Sequence, residues 1–121
     1  MFDTHAHLAD PAFKEDLAKV IENARSAGVN YILTVGYNFA TSQKCLELTQ
    51  KEKNIYAAIG IHPHEAGSYN SDLSELKDLA NHPEVIAIGE TGLDYYRDYT
   101  PHDVQKKLFK LHIALAKRAG K

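Results

Sequence analysis

Short apolar runs alternate with stretches of helical periodicity along the whole chain. Phe2-Asp3-Thr4-His5-Ala6-His7 reads as a first strand. Asp10-Pro11 then offers an N-cap and a proline at the first helical position, followed by Phe13, Leu17, Val20, Ile21 and Ala24 at helical spacing. Gly28 suits a left-handed cap. Residues 29–35, rich in β-branched and aromatic types, predict a second strand. A turn at Gly36 and Asn38 leads into a helix over about 40–53 with a thin apolar stripe. Residues 55–61 predict the third strand, and a loop follows through Gly67, Ser68 and Asn70. Asp72 and Glu75 have the spacing of a capping box before the stripe Leu73, Leu76, Leu79, Ala80. Residues 85–89 are nearly all apolar, as expected of a parallel strand covered on both faces. Thr100-Pro101 opens a last helix with Val104, Leu108, Leu111, His112 and Leu115 on one side and Gly120 as its cap.

Four β/α repeats in 121 residues imply parallel strands joined by right-handed crossovers. An open doubly wound sheet and half of a barrel both fit, since eight such units reach the roughly 250 residues of a (β/α)₈ barrel. No glycine-rich nucleotide fingerprint follows the first strand, which argues against a dinucleotide fold.

Composition excludes more than it assigns. With 44% apolar and 25% charged residues the chain is a folding sequence, and its formal charge of −2 supplies no general attraction for polyanions. The local run Lys106, Lys107, Lys110, Lys117, Arg118 and Lys121 reads as a solvated helix face. Cys45, the single cysteine, is expected to be a structural thiol in a reducing compartment. No apolar run is long enough to span a membrane, and a strand beginning at Met1 leaves no room for a signal peptide. A cytoplasmic protein without membrane partners is the expectation.

Candidate chemistry gathers at strand ends. Strand side chains alternate, so Asp3, His5 and His7 are expected on one face, and two imidazoles side by side make half of a divalent-metal site. Glu90 directly follows the fourth strand within Gly89-Glu90-Thr91-Gly92-Leu93-Asp94. Its carboxylate is placed to bridge two cations, or else to cap a turn, while Gly89 and Gly92 allow close backbone approach or unusual dihedrals. In Gly60-Ile61-His62-Pro63-His64 the proline fixes the turn. The flanking histidines are placed to touch substrate or order a metal-bound water, or else to hold the turn by hydrogen bonds. His5, His7 and Glu90 are thus the candidate ligands, and Glu90 and His62 the candidate catalytic groups. His82, His102 and His112 sit on or beside helices and are read as structural or solvated.

These stretches, D-T-H-A-H-L at 3–8, G-I-H-P-H at 60–64 and G-E-T-G-L-D-Y-Y at 89–96, resemble the TatD family of metal-dependent nucleases within the amidohydrolase-like barrels. Q-x-x-x-F at 105–109 is a weaker match. The resemblance implies the N-terminal half of a TIM-type (β/α)₈ barrel over residues 1–121, about four parallel β/α units. It implies Mg, Mn or Zn, with His5 and His7 on one ion and Glu90 bridging two, and DNA phosphodiesters cleaved by metal-activated water. Deacylation of D-aminoacyl-tRNA is the family's alternative. The family takes two more histidines and an aspartate from its second half, so this stretch alone implies one metal site and little activity. A missing C-terminal half or a second copy would complete the barrel. A non-catalytic metal-binding or homodimerising half-barrel is the non-enzyme alternative, and a polymerase-and-histidinol-phosphatase-like phosphoesterase shares the D-x-H-x-H opening.

Overall fold

The structure, a computed structural model, describes residues 1–69 and 73–121. Its strands are β1 (Phe2–Ala6), β2 (Tyr31–Val35), β3 (Ile55–Ile59) and β4 (Val85–Ile88). Its helices are α1 (Leu17–Ser26), α2 (Phe39–Lys51), α3 (Ser74–Ala80) and α4 (His102–Ala119). All strand pairs are parallel and the sheet order is β1-β2-β3-β4, so each crossover returns the chain beside the strand just left. This is a half-barrel of four β/α units.

Several boundaries differ from the sequence reading, each for a local reason. Asp10 does cap, accepting the Ala12 N–H at 2.8 Å, but what it caps is a 3₁₀ turn at Pro11–Phe13; α1 proper starts at Leu17. The second strand begins at Tyr31 rather than residue 29. Gly28 has φ +87°, as its cap role requires, and Asn30 closes onto the Met1 carbonyl. The α2 helix starts one residue early because Asn38 is its N-cap. Its Oδ1 accepts the Thr41 N–H at 2.9 Å while Thr41 Oγ1 accepts the Asn38 N–H at 3.0 Å. The third strand stops at Ile59, and Pro63–Ser68 forms a 3₁₀ helix rather than an open loop. The fourth ends at Ile88. Asn70 and the capping box expected from Asp72 lie outside the described residues.

The core has two parts. The larger packs Ile59, Ile61, Leu76, Val85, Leu108 and Leu115 between the sheet and α2–α4; the smaller joins Leu8, Ile21, Ile32 and Ile55 around α1. Cys45 is fully buried beside Thr34 Oγ1 at 3.4 Å, and burial pushes its thiol up to about 11, as expected of a structural residue. The basic side chains of α4 are exposed; Lys121, just beyond the helix, is half-buried. Lys121 donates to the carbonyls of His82 and Val85 and ties the helix end to β4. The last strand is not covered on both faces: Ile86 is 41% exposed. No helix among the described residues is long and apolar enough to cross a membrane.

Candidate metal centre

Two histidines come from the first strand. His5 lies in β1 and His7 just beyond it. The imidazole Nδ1 of His7 lies 3.0 Å from the Val35 carbonyl, which only accepts, so Nδ1 carries the proton and Nε2 presents a lone pair. The Nε2 atoms of His5 and His7 stand 3.2 Å apart. Asp3 does not join them. Asp3 and Ala6, three positions apart in β1, pair with Ile32 and Thr34, two positions apart in β2, and the extra residue breaks the alternation that would align Asp3 with the histidines. The Asp3 carboxylate accepts the His5 backbone N–H at 3.0 Å instead.

Glu90 arrives from the opposite edge of the sheet. The backbone is fixed on both sides of a cis Gly89–Glu90 peptide. The Gly89 N–H donates to the Ile59 carbonyl at 2.8 Å and the Glu90 N–H to the Gly36 carbonyl at 2.9 Å. The glycine that permits this approach is Gly60. A Cβ there would lie 2.7 Å from the Gly89 carbonyl carbon and 2.9 Å from the Glu90 carbonyl oxygen, whereas one on Gly89 would meet nothing within 4 Å. Gly92, at φ +148°, does use a glycine-favouring conformation.

The carboxylate faces histidines with both oxygens. Oε2 lies 3.5 Å from His7 Nε2 and 3.9 Å from His5 Nε2, while Oε1 lies 3.9 Å from His62 Nε2. In a flat sheet β1 and β4 would stand about 14 Å apart. The chain beyond β4 closes that gap: it crosses the end of β3 at Gly60 and reaches the end of β2, where the Glu90 N–H meets the Gly36 carbonyl.

His62 plays a different part from the pair on β1. Its Nδ1 accepts the His64 N–H at 3.1 Å and caps the 3₁₀ helix, so the neutral ring carries its proton on Nε2, aimed towards Glu90. Burial, and then neighbouring His64, hold its pKa below the ordinary histidine value. The 3.9 Å approach is therefore not an ion pair at neutral pH, and His62 is a hydrogen-bond donor rather than an Nε2 ligand.

One member of the cluster was given no role in the sequence reading. Asp94 Oδ2 makes a short hydrogen bond with His64 Nε2, and its Oδ1 accepts the N–H groups of Tyr96 at 3.0 Å and Arg97 at 3.1 Å. The Arg97 N–H first, then the His64 bond, hold the carboxyl below its usual range. Buried Gln105 clamps the Asp94 backbone, accepting its N–H at 2.8 Å and donating to its carbonyl at 3.0 Å. Residues 64 and 94 are 30 apart, and no spacing rule links them. The available sequence signal was that both lie in stretches that end strands.

His7, Tyr37, His62, His64, Glu90 and Asp94 line a cleft of about 550 Å³. The remaining histidines stay apart from it. His82 is exposed; His102 pairs with Asp98 at 3.0 Å; His112 is buried and accepts the Ile61 N–H at 3.0 Å.

The donor set fits a cation. His5, His7 and Glu90 each offer one ligand atom within 4.8 Å of the others. Two nitrogen or oxygen donors about 2.1 Å from one ion at a tetrahedral angle stand about 3.4 Å apart, and the separations here run from 3.2 to 3.9 Å.

Known proteins carry the same arrangement of chain. The chain is 45% identical over 121 residues to the metal-dependent hydrolase YabD of Bacillus subtilis, covering 99% of this chain and 48% of that one. It is 38% identical over 118 residues to the 3'-5' ssDNA/RNA exonuclease TatD of Pantoea vagans, covering 96% and 45%. The crystal structure of YjjV, a TatD homologue from Escherichia coli K12, superposes with a TM-score of 0.91 at 29% identity, over 99% of this chain and 48% of that one. The chain thus spans about half the length of the relatives it matches. The TatD related DNase family matches residues 2–121, and the chain belongs to that family of metal-dependent hydrolases.

Proposed function

We propose that residues 1–121 form the N-terminal half of a divalent-metal-dependent nuclease that cleaves phosphodiester bonds, with His5, His7 and Glu90 as its metal ligands. The observation that carries this reading is the convergence of those three donors, from the two edge strands, at one mouth of the sheet. His7 is oriented by the Val35 carbonyl, and Glu90 turns Oε2 towards the His5–His7 pair while Oε1 faces the His62 donor. When bound, Mg, Mn or Zn supplies Lewis acidity and offsets phosphate charge. Neutral His62 offers Nε2–H to a substrate oxygen beside Glu90. The substrate is DNA, and the ssDNA/RNA exonuclease relatives extend the class to RNA. The remaining ligands come from a second half or a second copy, so the 121 residues alone turn over slowly or not at all. A lone buried cysteine suits a cytoplasmic setting.

Calorimetric titration with Zn or Mn tests the ligand set. His5→Ala and Glu90→Ala are each expected to weaken metal affinity by more than about tenfold. Unchanged affinity in both would remove the metal centre. Metal binding without cleavage of a labelled oligonucleotide, even after the second half is supplied, would leave a metal-binding module and no nuclease.

A further inference from the structure

Beyond Asp94 the chain leaves the cleft and runs Tyr95-Tyr96-Arg97-Asp98-Tyr99 before α4. Its rings are held out in solvent: Tyr96 is 94% exposed and Tyr99 67%. Exposed tyrosines would ordinarily gain by burial, and the loop that carries them is tied down at both ends. Asp94 accepts the N–H groups of Tyr96 and Arg97 and so folds a turn beneath them. Gln105 Nε2 donates to the Thr100 carbonyl at 2.8 Å, and Thr100 Oγ1 donates to the His64 carbonyl at 3.1 Å, which anchors the far end.

The loop is continuous with the cleft. Tyr99 packs edge-on against His64, with ring centroids 4.8 Å apart, and Arg97 lines the same cavity as Glu90. Tyr96 lies two residues from Asp94, at most about 7 Å along the backbone. Charge is divided between the loop and the cleft: Asp10, Glu65, Glu90 and Asp94 line the cleft, and the cations stand on the loop side. Arg97 and Lys106, whose Nζ lies 5.9 Å over the Tyr95 ring, flank the tyrosines, and the loop's own acid Asp98 faces His102.

We infer that Tyr96 and Tyr99 are a stacking platform for the unpaired bases of a single-stranded nucleic acid, with Arg97 on its phosphates and the strand leading into the Glu90 cleft. The inference rests on the nuclease reading for what lies in that cleft. Single strands are the class that fits, because unpaired bases present free faces to aromatic rings and a duplex stacks its own.

Fluorescence anisotropy of a 5′-labelled 12-nucleotide DNA with the 121-residue chain, in EDTA so that no bond is cut, tests this. Tyr96→Ala and Tyr99→Ala are each expected to weaken binding by about five- to 150-fold, the range for loss of one stacked base. Tyr96→Phe and Tyr99→Phe keep the ring and are expected to bind as the parent does. An abasic strand of the same length should lose both factors together on the parent, and no further affinity on the double alanine variant. RNA of matched sequence should show the same ring dependence, and blunt duplex should bind more weakly than either strand. Alanine variants with parental affinity, or an abasic strand bound as tightly as a base-bearing one, would overturn the platform. No binding by the parent would overturn it as well. Ring-dependent binding without cleavage in Mn by the completed barrel would sink the nuclease reading and leave the platform standing.

Discussion

Gly60 decides where Glu90 can sit. The β3 and β4 ends approach so closely that any side chain at 60 meets the Gly89 and Glu90 backbone, and that backbone is hydrogen-bonded to Ile59 and Gly36. It cannot yield without carrying the carboxylate away. Gly60→Ala is expected to destabilise the fold by about 1–3 kcal/mol, the usual cost of overpacking, and to weaken Zn or Mn binding beyond what the loss of stability explains. Thermal melts with and without metal separate the two effects; a variant with parental affinity would show that Glu90 is placed by something else. The sequence showed the glycine and the glutamate but not that they meet. It placed His5, His7 and Glu90 at strand ends because alternation and apolar runs are local signals. It misplaced Asp3 because a bulge is set by pairing with β2. It could not join His64 to Asp94, whose contact exists only once two loops are folded against α4.

At the scale of elements, the mouth of the sheet is held by α4. His112 accepts the Ile61 N–H through Nε2, and its Nδ1–H donates to the Leu108 carbonyl at 3.0 Å, so the ring clasps the segment that begins the His62 turn. Burial holds the His112 pKa below the ordinary 6.5, with the Leu108 bond opposing in part. The folded chain then binds fewer protons than the unfolded chain as pH falls below about 6.5, so this clasp stabilises fully above that pH and progressively less beneath it. His112→Leu leaves the Ile61 N–H without its acceptor and is expected to cost about 1–3 kcal/mol near pH 7.5. Urea unfolding should show the gap between parent and variant narrowing near pH 5; a constant gap would mean that the ring does not exclude a proton in the fold. The periodicity of α4 was legible because its buried positions repeat along one stripe, and His112 could be read as structural from its place on that stripe. The partner it clasps lies 51 residues away, and helical spacing says nothing about it.

For the whole molecule, the same open sheet that gathers the site also leaves it half enclosed. Both edges, β1 and β4, carry backbone groups that no neighbouring strand pairs among the described residues. Phe2 and Tyr31 are each 45% exposed and Ile86 41%. Unpaired parallel edges beside exposed apolar side chains favour association. His5 lies on the β1 edge, so whatever pairs with that strand also walls the His5 side of the site. The 121-residue chain by itself is therefore expected to self-associate, with sedimentation near 100 μM giving a mass above that of one chain. Ile86→Lys and Phe2→Lys place a charge on the two edge strands and are expected to raise the dissociation constant by about tenfold or more. Joining the chain to a second half that supplies the missing strands should abolish association without either substitution, because the edges are then paired within one barrel. A parent chain that stays monomeric at that concentration would mean that the edges are protected by their own twist and neighbouring loops, and that closure of the cleft is not what drives pairing.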